Sequence, residues 1–230
     1  MKAEWFLVIS TLILAVVALF KDSFWQFILK PIIDVKFDLS SPDCFKSELH
    51  KLEKEKTIDT MNIFKYRLRI INKGKRPAKN VEIIIQDIMK KKGTNFYRID
   101  SFLSDNLDWG SSSTKTNEEA KIYYGFIFPN TFKHCELGHI LDPEKRHLIS
   151  SENNPKLPIK EKDETIFSFN VATRYNNLYY LVAPGTYRVK VLVAGENFKL
   201  VKKEYELEVT GKWFEDEGRM LTDGVKVKDI

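Results

Sequence analysis

The densest group of side chains able to do chemistry is His134, Cys135, His139 and His147, nitrogen and sulfur donors of the kind that hold zinc. Cys135 and His139 are separated by three residues, and Cys44 would have to complete a Cys2His2 set from elsewhere in the chain. The paired-cysteine spacing that makes a zinc motif strong is missing. On a strand, Cys135 and His139 would share a face about 13 Å apart, too far for one ion, and only a turn at Gly138 would close the gap. Cys44, Cys135 and His139 are therefore weak metal candidates. The expectation is buried free thiols, ordinary histidines, and neither metal nor cofactor.

Other reaction chemistries find less support. Ser111, Ser112 and Ser113 supply hydroxyls but no Gly-x-Ser-x-Gly elbow, and neither a phosphate-cradling glycine loop nor a His-Glu-x-x-His helix is present. The carboxylate pairs Glu118-Glu119 and Asp216-Glu217 are sequence neighbours and read as solvated. No catalytic residue is assigned, and a membrane-bound enzyme without recognisable motif stays as the weakest alternative.

Charge is more informative. Residues 51–92 hold 13 lysines and arginines against five acids, an excess of +8 where the whole chain carries +5. Lys75, Arg76, Lys79, Lys90, Lys91 and Lys92 are the candidates for contact with an anionic surface, each worth on the order of 1 kcal/mol beside lipid headgroups. Nucleic acid is the rival anion and is disfavoured, because few aromatics interleave the cations. The bland alternative is the wet face of a sheet. At the other end, Trp213 and Phe214 stand among acids in a 211–230 tail without regular period, and either pack back or dock a protein partner.

The elements that must position these groups begin with an anchor. Trp5 to Phe20 (WFLVISTLILAVVALF) is uninterrupted and apolar. Its 16 residues would cover about 24 Å as a helix against a hydrocarbon core of about 30 Å. Lys2, Lys21, Trp5, Phe24 and Trp25 can serve as interfacial anchors, and Pro31 ends the segment that follows. A cleaved signal peptide competes, although Glu4 spoils its basic leader and no clean cleavage site follows. A buried core helix is the third reading.

Lys21, Lys30 and Lys36 after the span outweigh Lys2 before it, which biases the C-terminal part toward the cytoplasm. Two cysteines do not make a disulfide framework, and no asparagine heads a glycosylation sequence. The expected location is a single-pass inner-membrane protein with a cytoplasmic domain, the alternative being a domain outside the cytoplasm.

Beyond the anchor the period is two. Phe64, Tyr66, Leu68 and Ile70 alternate with Lys65, Arg67 and Arg69; Tyr187, Val189, Val191 and Val193 alternate with Arg188 and Lys190; Tyr205, Leu207 and Val209 alternate with glutamates. Further strands are expected over 34–39, 81–88, 96–99, 121–128, 136–141 and 165–171, with polar loops over 104–119 and 149–164. The division is an anchor and interfacial segment over 1–33, a mainly β antiparallel β-sandwich over 34–210, and the tail. Asn72 to Asn80 carries the glycine and proline of a hairpin or sheet-switching turn. Ala183-Pro-Gly-Thr-Tyr187 places a tyrosine where it can bond back across a sandwich corner.

The stretches IINKGKRPAKNVEIII, CELGHI, PGTYRVKVLVAGEN and GKWFEDEGRMLTDGVKV resemble those of a family of uncharacterised prokaryotic proteins with one N-terminal transmembrane helix and an immunoglobulin-like β-sandwich. The resemblance covers most of the chain and implies architecture and a prokaryotic source, with no activity or catalytic residue to carry over. The leading functional expectation is a membrane-tethered, non-enzymatic binding or scaffolding module with a protein partner; an exported envelope protein with an adhesion-like sandwich is the alternative.

Overall fold

The computed structural model describes residues 5–6, 8–18, 29–53, 56–110, 120–149, 156–174 and 177–230. Parts of the anchor, including Lys2, Glu4, Phe20, Lys21, Phe24 and Trp25, and the serines and glutamates of 111–119 lie outside them. Residues 8–18 are helical, and every described side chain from 5 to 18 is exposed. Among the described residues no helix is long and apolar enough to cross a membrane.

The rest is mainly β-structure in two antiparallel sheets, with short helical turns over Pro143–Leu148, Glu217–Arg219 and Met220–Gly224. The strands are β1 (Ile33–Lys36), β2 (Cys44–Glu53), β3 (Lys56–Asn72), β4 (Ala78–Lys92), β5 (Asn95–Arg98), β6 (Asp105–Asn106), β7 (Tyr123–Ile127), β8 (Thr131–Leu141), β9 (Phe167–Phe169), β10 (Leu181–Val182), β11 (Gly185–Ala194), β12 (Val201–Val209) and β13 (Val225–Asp229). One sheet runs β1-β3-β8-β9-β10, with β2 beside the first part of β3. The other runs β13-β12-β11-β4, and β5, β6 and β7 take successive lengths of the far side of β4.

The turn after Asn72 switches sheets, since β3 belongs to one and β4 to the other. Alternation then sets the faces. Tyr66, Leu68 and Ile70 from one sheet meet Val81, Ile83, Val189, Val191 and Leu207 from the other in one buried cluster, together with Tyr187. That is the core expected from the period-two pattern. Tyr187 Oη donates to Ala183 O at 2.8 Å, the corner bond the Pro-Gly turn suggested.

Four strands go beyond the expectation, two of them only two residues long: β6 lies inside the 104–119 stretch expected as a loop, and β10 at 181–182 is too short to show a period. β2 (CFKSELHKLE) has no apolar alternation and is held as a strand by pairing along one side with the first half of β3. β13 adds the tail as an edge strand on β12, while Met220, Leu221 and Val225 enter the core. The tail therefore packs back onto the sheet.

Candidate functional site

The structure separates the metal candidates. Register runs Leu68 with Cys135, Arg67 with Glu136 and Tyr66 with Gly138, so Leu137 is an extra residue that reverses the phase of β8. Cys135 consequently points into the core, where its thiol lies 3.7 Å from Asp108 O. His139, opposite Lys65, faces out of the sheet. The expectation that the two share a face is corrected by this bulge. Cys44 is in the core on the other side of β3, opposite Tyr66. Burial, helped by Asp43, pushes the Cys44 thiol up to about 12, and burial raises Cys135 well above the ordinary thiol value. Among the described residues no three His, Cys, Asp or Glu side chains are grouped to hold a metal.

The outward face of the β3–β8 pair carries two polar networks instead. Asp43, fully buried, accepts from Arg69 Nη2 at 2.9 Å and from the Asp38 amide at 3.1 Å, and His134 Nε2 lies 2.9 Å from its other oxygen. Partial burial lowers the proton affinity of His134 more than Asp43 raises it. Glu136 sits between Lys65 (3.3 Å) and His139 (3.6 Å). Burial alone would raise the Glu136 pKa, but His139 and Lys65 outweigh it and hold it low. Ser168 is the register partner of His139, which brings serine, histidine and glutamate together. Their exposures of 1 %, 2 % and 7 % leave a substrate no route to them, and they act as a buried layer.

The basic band is divided. On β3, Lys65 and Arg69 are bound by carboxylates and Arg67 by Pro42 O. The six candidates for an anionic surface fall at opposite ends of β4: Lys75, Arg76 and Lys79 at the turn from β3, and Lys90, Lys91 and Lys92 at its far end. Lys79 and Lys90 are about 35 Å apart at about 3.3 Å per residue. The structure does not bring the two groups together.

The turn end is closed by asparagine amides. Buried Asn72 donates to Arg76 O (2.6 Å) and Ile127 O (2.9 Å), and accepts from the amides of Gly74 (2.9 Å) and Ile32 (3.3 Å). Asn197 accepts from the Lys79 amide and donates to Pro77 O, and Asn80 donates to Glu196. Gly74 has no room for a side chain, because a Cβ there would stand 2.4 Å from Ile32 N and Lys30 O. The chain that follows the apolar segment is thus locked onto this end.

The far end carries two cavities of opposite charge. One, about 680 Å³, is lined by Asp142, Glu144, Glu161, Asp163, Glu164 and Glu215, with Trp213 and Phe214 among them. Both aromatics are engaged: Trp213 packs edge-on against Phe64 at 5.3 Å and donates to Glu215, while Phe214 lies under Arg219 at 4.5 Å. The other, about 450 Å³, is lined by Lys90, Lys92, Tyr97, Arg98 and Lys156, with Tyr187 at its base.

The asparagine clasp escaped the sequence because an amide reveals nothing of its partners; the one signal was the Asn-Lys-Gly turn itself. The chain matches no protein-family model, no curated protein and no solved structure.

Proposed function

We propose that this chain is a membrane-tethered, non-enzymatic binding module: an apolar N-terminal helix anchors an immunoglobulin-like sandwich that presents its far end to a partner in the cytoplasm. The observation that carries the reading is the helix itself. Trp5, Phe6, Val8, Ile9, Leu12, Ile13, Leu14, Val16 and Val17 are 46–77 % exposed, so this apolar surface finds no cover among the described residues. At about 25 cal/mol per Å² such a surface favours transfer to hydrocarbon. On this reading Lys75, Arg76 and Lys79, at the end of the sandwich where residues 30–32 are held, are the cations that meet the headgroups, and Lys90 to Lys92 lie at the opposite end of β4.

Alkaline carbonate extraction tests the tether. Full-length protein stays with the membrane and retains residues 1–20, whereas a chain of residues 29–230 is released. Recovery of a mature N-terminus beyond residue 20 replaces the anchor by a signal peptide, and a C-terminal reporter active outside the cytoplasm replaces the cytoplasmic reading by the exported one.

A further inference from the structure

We infer that the basic groove at the far end is a binding site for a small soluble phosphate monoester, with the phosphate between Lys90 and Lys92 and its carbon body against Tyr97. The inference goes beyond the tethered-module reading; the phosphate site itself does not need the anchor, while the choice of a soluble over a lipid source rests on that reading.

It begins with which way the lysines point. Along β4 the core-facing residues are Val81, Ile83 and Ile85, and continued alternation would send 87, 89 and 91 inward. Register to β11 runs Val191 with Ile85 and Lys190 with Asp87, so Gln86 is an extra residue. After it the inward series is Ile88, then Lys90 and Lys92. Two ammonium groups thus occupy positions that would otherwise extend the apolar face, at the open mouth between the sheets. Such a placement gives up apolar burial and offers cations to a concavity.

The surroundings fit an anion with a body. Lys90 is flanked in register by Tyr187 of β11 and Tyr97 of β5. Its ammonium lies 5.5 Å from the Tyr187 ring, and that of Lys92 lies 5.9 Å from the Tyr97 ring. Neither lysine makes an ion pair among the described residues; Arg98 and Lys156 also line the groove, Arg98 paired with Asp87 at 3.1 Å, and the one acid in the lining is Asp100. Same-face residues two apart on a strand stand about 7 Å from each other, a span that two lysine side chains close around one phosphate. Tyr97 is 50 % exposed, a ring face available for stacking. The opposite wall includes Leu178 at φ 55°, a left-handed backbone that a leucine adopts at a cost and that is concentrated at ligand sites. A cavity of about 450 Å³ is the size of small-molecule sites.

The source follows from distance. A phospholipid headgroup offers the same phosphate chemistry, but the groove lies about 35 Å along β4 from the turn where the N-terminal segment is locked. A soluble monoester reaches it without that constraint.

Calorimetry on the full chain in detergent, titrated with phenyl phosphate, tests the assignment. Saturable binding with Kd below about 1 mM is expected, weakened about tenfold or more by Lys92→Gln and further by Lys90→Gln with Lys92→Gln, since each lost charge-assisted bond is worth about a factor of ten. Lys75→Gln with Arg76→Gln leaves it unchanged. Binding that is absent, or equal in wild type and in Lys92→Gln, overturns the site. A second arm uses phosphatidic acid vesicles: loss of their binding in Lys92→Gln without any response to phenyl phosphate overturns the soluble source.

Discussion

The two ends of the sandwich use their polar side chains in opposite ways. At the turn from β3 to β4, Asn72, Asn80 and Asn197 spend their amides on backbone and side-chain partners, and Gly74 lets residues 30–32 approach within contact distance. At the other end, lysines extend the inward face of β4 without a carboxylate, and acids crowd the neighbouring cleft. An end whose hydrogen bonds are internally complete is suited to holding a fixed geometry. An end with uncompensated charge in concavities is suited to meeting something else.

The comparison breaks first at the asparagines. Asn72→Ala removes four hydrogen bonds from a buried site and leaves several groups without partners, so a loss of about 3 to 5 kcal/mol is expected by urea unfolding. Asn177→Ala, at the rim of the basic groove, should cost less than about 1 kcal/mol. Similar losses at both ends would remove the distinction.

Glycine sharpens it next. Gly74→Ala drives a methyl into backbone at 2.4 Å and should cost about 2 to 3 kcal/mol. Gly93, in the β4–β5 turn at the far end, has φ 62° but nothing within 4 Å of a Cβ, so Gly93→Ala costs only the backbone conformation, about 1 kcal/mol. Equal effects would mean that the contact at Gly74 yields without cost.

A smaller effect is read in acid. His134 binds its proton less readily folded than unfolded, so between the ordinary histidine value of about 6.5 and its own lower one the unfolded chain holds more protons. Stability is therefore full above that window and falls as pH drops through it. His134→Asn should flatten this part of the curve, leaving the carboxylate-dependent loss at lower pH from Glu136 and Glu215, whose pKa values are held down by their cationic partners. An unchanged slope in the variant would assign the acid response to other groups.

Much of the fold was legible because most strands have one wet and one dry face. The inward sets around Leu68, Val191 and Leu207 followed from period two alone. What was not legible arises where the period is interrupted or uninformative. β2 places Lys46, Glu48 and His50 where an apolar series would announce a strand. Leu137 shifts the phase of β8 and sends Cys135 and His139 to opposite faces. Gln86 does the same on β4, so that Lys90, half-buried, and Lys92, exposed, line the groove while Lys91 takes the other face. A bulge is one residue long, and its position is fixed by pairing with another strand, which periodicity along one strand does not contain.

Placement of the two ends relative to the bilayer is the most direct test of the tethered module. In the full chain reconstituted into a bilayer, fluorophores are attached at Lys75→Cys and, separately, Lys91→Cys; buried Cys44 and Cys135, with raised thiol pKa values, remain unlabelled. Lipids carrying a headgroup nitroxide should quench the label at 75 strongly and leave the label at 91 bright. Equal quenching at the two positions, or stronger quenching at 91, would contradict an anchored turn end with the far end turned away from the membrane.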